Sequence, residues 1–189
     1  MKRYRILFPL LVAVVLIAGC KGKKTGDGDI ITTNYETPQL QAPISMNTSL
    51  VSMETEWAGG RTYHLLINRF PVDSLPKVSD ERGQLYKDNK VEISVTRSDG
   101  STFFSHSFTK MSFANWLDSD YRSNGLLEDI HFFRAADDEL LFTVSVNHPA
   151  ASDDEATILR LAVNREGAIA IGRYDENDRD DLAQSDEEE

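Results

Sequence analysis

Apolar and polar side chains alternate along eight short runs of the chain, and this period of two limits the fold more than any other feature. In the clearest run, Leu140, Phe142 and Val144 occupy every second position. Because successive side chains of a strand point to opposite faces, each run predicts a strand with one buried face. The other runs begin at Val51, Tyr63, Val91, Phe104, Ile130, Leu159 and Ile169.

Turn sequences between the runs indicate antiparallel hairpins. Ser98-Asp99-Gly100 and Arg165-Glu166-Gly167 are typical of tight hairpin turns. Residues 135–138, two alanines followed by two aspartates, provide a third turn of less typical composition. We therefore predict a mainly β domain over residues 45–174, with about eight antiparallel strands that form a sandwich or a small barrel.

One short helix is predicted over residues 112–117. Ser112 is a suitable N-cap, and the spacing of Phe113, Trp116 and Leu117 places all three on one face. We expect that face to pack against the sheet.

The connection over residues 71–89 is predicted to lack regular structure. Connections of this length are uncommon in compact domains and often carry function. The preferred interpretation is an excursion that its own apolar residues, such as Leu75 and Tyr86, hold against the domain.

The first nineteen residues have the pattern of an export signal. Lys2, Arg3 and Arg5 precede a mainly apolar run over residues 6–18. A helix needs about 20 apolar residues to span a bilayer, so this run is too short, whereas its length is typical of a signal peptide.

The run ends in Leu16-Ile17-Ala18-Gly19-Cys20, which resembles the lipobox of bacterial lipoproteins. The resemblance implies cleavage before Cys20 and attachment of lipid to its sulfur. Cys20 is the only cysteine of the chain, and lipidation explains an unpaired cysteine in an exported protein. The alternative is an ordinary secretory signal, or an uncleaved anchor, with a cysteine there by chance.

Lipidation of Cys20 predicts a domain held at a membrane by a flexible tether over residues 20–44. Lys21 follows the cysteine, and by resemblance to the sorting rules of bacteria with two membranes this implies the outer membrane. We predict the periplasmic face, with surface exposure as the alternative.

The chain is acidic, with a formal net charge of −11. The tail over residues 175–189 holds nine acids and one arginine, so we expect it to be disordered. An acidic domain repels phosphate backbones, which argues against a nucleic-acid partner.

No catalytic signature stands out in the sequence. It has no GxSxG or Ser-x-x-Lys motif, and the cysteine is assigned to lipid. No HExxH pattern is present, and His64, His106, His131 and His148 are predicted to be surface or edge residues. We expect neither a cofactor nor a metal.

One loop could suggest calcium, because Asp118, Asp120 and Asn124 are oxygen donors at nearby positions. Arg122 stands where an EF-hand needs a third donor, and Gly125 is misplaced for that turn. A solvated turn is therefore the preferred interpretation.

Aromatic residues concentrate between positions 103 and 116. Phe103, Phe104 and Trp116, together with Tyr86, are predicted as a possible binding surface, since aromatic side chains are enriched at the centres of interfaces. The competing interpretation is that these rings belong to the core.

Four phrases occur in order between Trp57 and Tyr174: Arg61-Thr-Tyr-His-Leu, Leu85-Tyr-Lys-Asp-Asn, Phe108-Thr-Lys-Met-Ser-Phe and His148-Pro149 with Asp153-Asp154-Glu155 after it. With these phrases and the lipobox, the chain resembles small envelope lipoproteins of unknown function found in Bacteroidetes. The resemblance implies an envelope location and no known activity or site residues.

We therefore predict a lipid-anchored, non-catalytic module that contacts another envelope protein or a glycan. Two alternatives remain: a lipocalin-like barrel that binds a small ligand in an apolar cavity, and a hydrolase with a site built from separated carboxylates.

Overall fold

The computed structural model describes residues 41–136 and 138–174. These residues form ten strands, a short α-helix and two 3₁₀ turns, which confirms the predicted mainly β fold. No helix in this described part of the chain is long and apolar enough to span a membrane.

The helix α1 is Ser119–Asn124, and the 3₁₀ turns are Lys110–Phe113 and Asp153–Glu155. The strands are β1 (Ser49–Trp57), β2 (Arg61–Pro71), β3 (Val78–Ser79), β4 (Leu85–Tyr86), β5 (Asn89–Arg97), β6 (Thr102–Thr109), β7 (Leu126–Ala136), β8 (Glu139–Asn147), β9 (Thr157–Asn164) and β10 (Ile169–Arg173).

The eight long strands form two antiparallel sheets of four strands each. The first has the order β1-β2-β5-β6 and the second the order β10-β9-β8-β7. All eight predicted runs are strands of these sheets. The strands of the described residues form no closed barrel. The eight long strands lie in two separate sheets, as in a sandwich, which was one of the two predicted architectures.

The alternating apolar residues of both sheets meet in one core. Tyr63, Leu65 and Ile67 of β2 are each at most 4% exposed, and the alternating apolar side chains of β8, from Leu140 to Val146, are buried in the same cluster. Burial of each such side chain contributes about 1.5–3 kcal/mol, which makes this core the main stabilising feature.

Strand β7 crosses the inner face of the first sheet. Near one end of that sheet, the Asn89 side chain donates a hydrogen bond to the Leu127 carbonyl at 2.9 Å. At the opposite end, the Trp57 indole donates to the carbonyl of Ala136, the last residue of β7, at 3.0 Å. These two bonds fix the orientation of the second sheet on the first.

The predicted tight hairpins are confirmed. Ser98-Asp99-Gly100 joins β5 to β6, and Gly100 has a φ of 82°, a left-handed conformation that favours glycine. Hydrogen bonds from the side chain and backbone of Ser101 lower the pKa of Asp99. The third turn is shorter than predicted, because β7 continues through Ala135 and Ala136.

The helix predicted over residues 112–117 is wrong. A 3₁₀ turn ends at Phe113, and the α-helix begins later, at Ser119, with Asp118 as its N-cap. The 3₁₀ turn and the bend after it bury Phe113 and Leu117 without an α-helix, and they leave Trp116 40% exposed. The apolar spacing thus indicated burial correctly but not the helix.

The connection over residues 71–89 is more ordered than predicted. Pro71 ends β2, Asn89 begins β5, and the short strands β3 and β4 pair between them. A turn follows β3, in which the Asp80 carboxylate accepts hydrogen bonds from the backbone N–H groups of Arg82 and Gln84, both at 2.9 Å. A single acidic side chain therefore organises a loop that has no periodic signal.

Candidate functional site

A polar cleft of about 880 Å³ is the main candidate site. It lies where three segments meet: the β3–β4 hairpin, helix α1, and the connection between β8 and β9. We call it the polar cleft. Its lining residues are Ser79, Asp80, Glu81, Arg82, Tyr86, Asp120, Asn124, His148, Pro149, Ala150, Ala151 and Glu155.

The first wall is the β3–β4 hairpin. Tyr86 projects from β4, and its hydroxyl donates to the Asp80 carboxylate at 3.4 Å. The base of the hairpin is held by an ion pair of 2.9 Å between Lys87 and Asp73. The hydrogen bond and the positive charge of Lys87 lower the pKa of Asp73.

The second wall is helix α1. The Asp118 carboxylate accepts hydrogen bonds from the N–H groups of Asp120 and Tyr121, both at 3.0 Å, which are free donors of the first turn. Within the helix, Asn124 donates to Asp120 at 2.6 Å. Asp118 and Asp120, two of the three residues that suggested calcium, therefore accept hydrogen bonds from their own helix, and Asn124 is the donor of one of these bonds.

The third wall is the connection between β8 and β9. Asn147, which is 2% exposed, donates to the Ser152 carbonyl at 3.0 Å and accepts from the His148 N–H at 2.9 Å. Ala150 is held at a φ of 61° and lines the cleft. A non-glycine residue in this region is strained, and such strain clusters at functional sites.

His148 joins the second and third walls. Its Nε2 lies 3.2 Å from the Asp120 carboxylate, and its ring packs on that of Tyr121 with centroids 4.4 Å apart. The Tyr121 hydroxyl in turn donates to the Glu155 carbonyl. These contacts close one end of the cleft with residues that are distant in the sequence.

Hydrogen-bond acceptors dominate the charged groups of the cleft. Four carboxylates face one guanidinium and one imidazole. Ionised carboxylates only accept hydrogen bonds, so the cleft suits a ligand that donates through hydroxyl or N–H groups. The carboxylates are those of Asp80, Glu81, Asp120 and Glu155, and the other two groups belong to Arg82 and His148.

A second cluster of polar groups is buried between the sheets, and we call it the polar seam. It consists of Asp88, Asn89 and Lys110, each at most 6% exposed, with backbone groups of Gly125 and Leu127. The Asp88 carboxylate accepts from the N–H groups of Asn89 at 2.8 Å and Leu127 at 2.9 Å. The Lys110 ammonium donates to the Gly125 carbonyl at 2.6 Å and lies 4.0 Å from Asp88.

Burial dominates the ionisation of the seam. Loss of water raises the pKa of Asp88, although two backbone hydrogen bonds and the charge of Lys110 act against it. The same loss lowers the pKa of Lys110, which Asp88 only partly offsets. Because every charged group of the seam is bonded to the protein itself, we assign the seam a structural role.

The structure separates the four aromatic residues predicted as a binding surface. Only Tyr86 lines the cleft. Phe104 is 7% exposed and belongs to the core, so its place in a surface is wrong. Phe103 lies at an irregularity of β6 and packs edge-on against Trp57 at 5.5 Å. Trp116 is exposed but has no ring contact with the other three.

The remaining predicted site residues fall into two groups. Cys20 and the acidic tail lie outside the described residues. Of the four histidines, His64, His106 and His131 are exposed, as predicted, whereas His148 is half-buried in the cleft. Within residues 41–136 and 138–174, no three His, Cys, Asp or Glu side chains come together to hold a metal ion.

Sequence reasoning missed both clusters. Asp88 and Lys110 are part of the phrases that carried the resemblance, but nothing in the sequence indicated that they meet. His148 and Asp120 are 28 positions apart and on different elements, so no spacing rule connects them. The signal that the sequence did give was the set of oxygen donors at Asp118, Asp120 and Asn124, which we interpreted as a solvated turn.

Comparison with known proteins identifies a family whose function is unknown. No curated protein matches the chain. Residues 30–171 match a family described as a domain of unknown function, and this range covers nearly all of both sheets. The chain therefore belongs to the family Domain of unknown function (DUF4738).

Proposed function

We propose that the chain is a lipid-anchored, non-catalytic binding module of the bacterial cell envelope, and that its polar cleft holds a segment of another envelope protein or a glycan. The observation that carries this proposal is the convergence of three connecting segments on a cleft of about 880 Å³. This volume is within the usual range of small-molecule sites, roughly 300–1,000 Å³.

The lining favours a polar ligand. Typical pockets for drug-like molecules are mainly apolar, whereas this cleft presents four carboxylates, a tyrosine and a histidine. Hydroxyl groups of a glycan, or N–H groups of a peptide, match such acceptors. The first wall belongs to the connection over residues 71–89, a long connection of the kind that often carries function.

The sequence supports the membrane anchor. The basic start, the short apolar run and the small residues before Cys20 agree with lipid attachment at that sulfur. Two or three acyl chains hold a protein at a membrane far more firmly than a single chain.

The anchor is tested by metabolic labelling with palmitate. The unaltered chain takes up label and the Cys20→Ala variant does not, while both are made in equal amounts. Label retained by Cys20→Ala would contradict lipidation, and so would a mature N-terminus at any other residue.

The cleft is tested by photo-cross-linking in cells. A photoreactive residue is introduced at position 81 in the cleft or at position 116, both exposed in the structure. We expect adducts from position 81 only, and their loss when His148→Ala is added. Equal adducts from both positions, or none from position 81, would contradict binding in the cleft.

A hydrolase is the second candidate, since the cleft brings together carboxylates that are far apart in the sequence. Asp120 and Glu155 both line it, beside His148. By contrast, Asp88, whose pKa is raised, lies in the polar seam and not in the cleft. Turnover of a glycan or peptide that is abolished by Glu155→Gln would favour this candidate over the first.

A lipocalin-type binder receives no support from the described residues. That function needs an apolar cavity inside a closed barrel. Here two separate sheets share a core in which Leu140, Phe142 and Val144 are each at most 1% exposed.

A further inference from the structure

The segment that leads into the domain is bonded to the wall of the polar cleft. Ile44 forms a parallel bridge with Tyr86 of β4. The Ile44 N–H donates to the Leu85 carbonyl, and the Lys87 N–H donates to the Ile44 carbonyl, both at 2.8 Å. The Gln84 side chain donates to the Ala42 carbonyl at 3.2 Å. We call residues 42–46 the strap.

The strap adds a third strand to a hairpin that is weak on its own. Strands β3 and β4 contain two residues each, and isolated two-stranded hairpins are marginally stable in water. Two backbone hydrogen bonds from the strap are therefore a large share of what holds β4 in place. At its other end, Met46 accepts a hydrogen bond at 3.1 Å from Asn89 in the polar seam.

The residues that the strap holds are those that shape the cleft. Tyr86 is the bridge partner of Ile44, and it also donates to Asp80, which organises the turn at the cleft rim. Displacement of β4 would therefore move Tyr86, Asp80 and the turn together. The strap also lies between the folded domain and the segment that leads back toward Cys20.

We propose that residues 42–46 act as a conformational strap: docked on β4, they hold the polar cleft in its binding shape, and detached, they let the β3–β4 hairpin move and the cleft open. The inference rests on the proposed function, because the site that the strap regulates is the polar cleft. Docking or release of residues 42–46, where the predicted tether meets the domain, would control the shape of that cleft.

Hydrogen exchange on the full chain in detergent tests the strap without any ligand. The Ile44→Pro variant removes the N–H that bonds to Leu85, whereas Ile44→Ala removes only a partly exposed side chain and retains both backbone bonds. The reporters are the amides of Asp80 and Gly83, which bond within the hairpin and not to the strap.

We expect Asp80 and Gly83 to exchange about tenfold faster in Ile44→Pro and at the normal rate in Ile44→Ala. Core amides such as that of Ile93 serve as a reference for the intact fold. Unchanged exchange at Asp80 and Gly83 in Ile44→Pro would overturn the proposal.

If Ile44→Pro also speeds exchange of the core amides, the fold itself is disturbed, and a second variant is needed to test the strap. Gln84→Ala leaves the backbone intact and removes the side-chain bonds to the Ala42 carbonyl at 3.2 Å and to the Leu85 carbonyl, which also accepts from the Ile44 N–H, at 2.9 Å. We expect it to speed exchange at Asp80 about threefold, and no change there would overturn the proposal. Because these readouts need no partner, failure of the strap is distinct from failure of the cross-linking test of the cleft.

Discussion

The polar seam and the polar cleft each pair an aspartate with a basic side chain, but the seam buries the pair and the cleft leaves it in contact with solvent. In the seam, Asp88 and Lys110 are at most 6% exposed and bond to backbone groups of Asn89, Leu127 and Gly125. In the cleft, the pair formed by Asp120 and His148 is open to solvent, with side chains 63% and 27% exposed. Charge alone therefore does not identify a binding site in this domain.

The difference follows from the cost of removing charges from water. A buried charge is stable only when it is paired or hydrogen-bonded, and the two charged groups of the seam already bond to the protein. Charges at a solvated rim can exchange water for ligand groups at small cost. The seam is therefore expected to determine stability, and the cleft is expected to determine binding.

The largest expected effect is that of Asp88→Ala. It leaves the buried N–H groups of Asn89 and Leu127 without an acceptor and Lys110 without its countercharge, so we expect a loss of about 3–5 kcal/mol in unfolding free energy. The matched variant Asp120→Ala removes a solvated carboxylate of the cleft and should cost less than about 1 kcal/mol. Urea denaturation of both variants checks the comparison; similar costs would remove the distinction between seam and cleft.

The pH dependence of Asp88→Asn sharpens the comparison. Since the folded-state pKa of Asp88 is raised, the folded protein binds the proton more tightly than the unfolded chain does. The wild type therefore loses stability relative to Asp88→Asn as the pH rises from the ordinary aspartate value near 3.9 through the folded pKa, by about 1.4 kcal/mol per unit of pKa shift. Denaturation of both proteins between pH 4 and 8 measures this. A pH-independent difference would contradict the raised pKa.

A smaller effect is expected for the cap of the cleft helix. Asp118→Ala removes the acceptor for two N–H groups at the start of α1 and should cost about 1 kcal/mol. Ser112→Ala, at the position that the sequence predicted as N-cap, removes one exposed hydrogen bond, from the Thr109 N–H at 3.1 Å, and should cost about 0.5 kcal/mol. Thermal unfolding compares the two, and a larger cost for Ser112→Ala would contradict the assignment of Asp118 as the stronger cap.

The smallest expected effect is a gain in stability from Ala150→Gly. Glycine relieves the left-handed φ of 61° in the cleft loop, which should stabilise the fold by about 0.5 kcal/mol. Ala58→Gly relieves a similar φ of 51° in the turn between β1 and β2 and serves as the control outside the cleft. Both should raise the melting temperature, but only Ala150→Gly should alter cross-linking from position 81.

Most of the fold could be predicted from the sequence because the apolar period is local. Tyr63, Leu65 and Ile67 define the inner face of β2 without reference to any other strand. The helix predicted from apolar spacing at residues 112–117 was wrong, because a 3₁₀ turn and a bend bury Phe113 and Leu117 there instead. Apolar spacing also gave no signal for β3 and β4, which are too short to show a period.

The candidate site could be predicted only in part. The length of the connection over residues 71–89 pointed to function, and Tyr86 was among the predicted surface residues. The partners of Tyr86 in the cleft could not be found, since Asp120 and His148 are brought there by packing between elements far apart in the sequence.

The sequence by itself determined the eight long strands, their tight hairpins and the side chains that form the core, because alternation and turn chemistry act between neighbouring residues. Tertiary structure alone decided how β7 crosses the first sheet, and therefore which polar residues are buried together and which remain in a cleft. Those outcomes depend on contacts such as Asn89 with Leu127 and Asp120 with His148. Such contacts stabilise the protein only after elements that are far apart in the sequence have packed together.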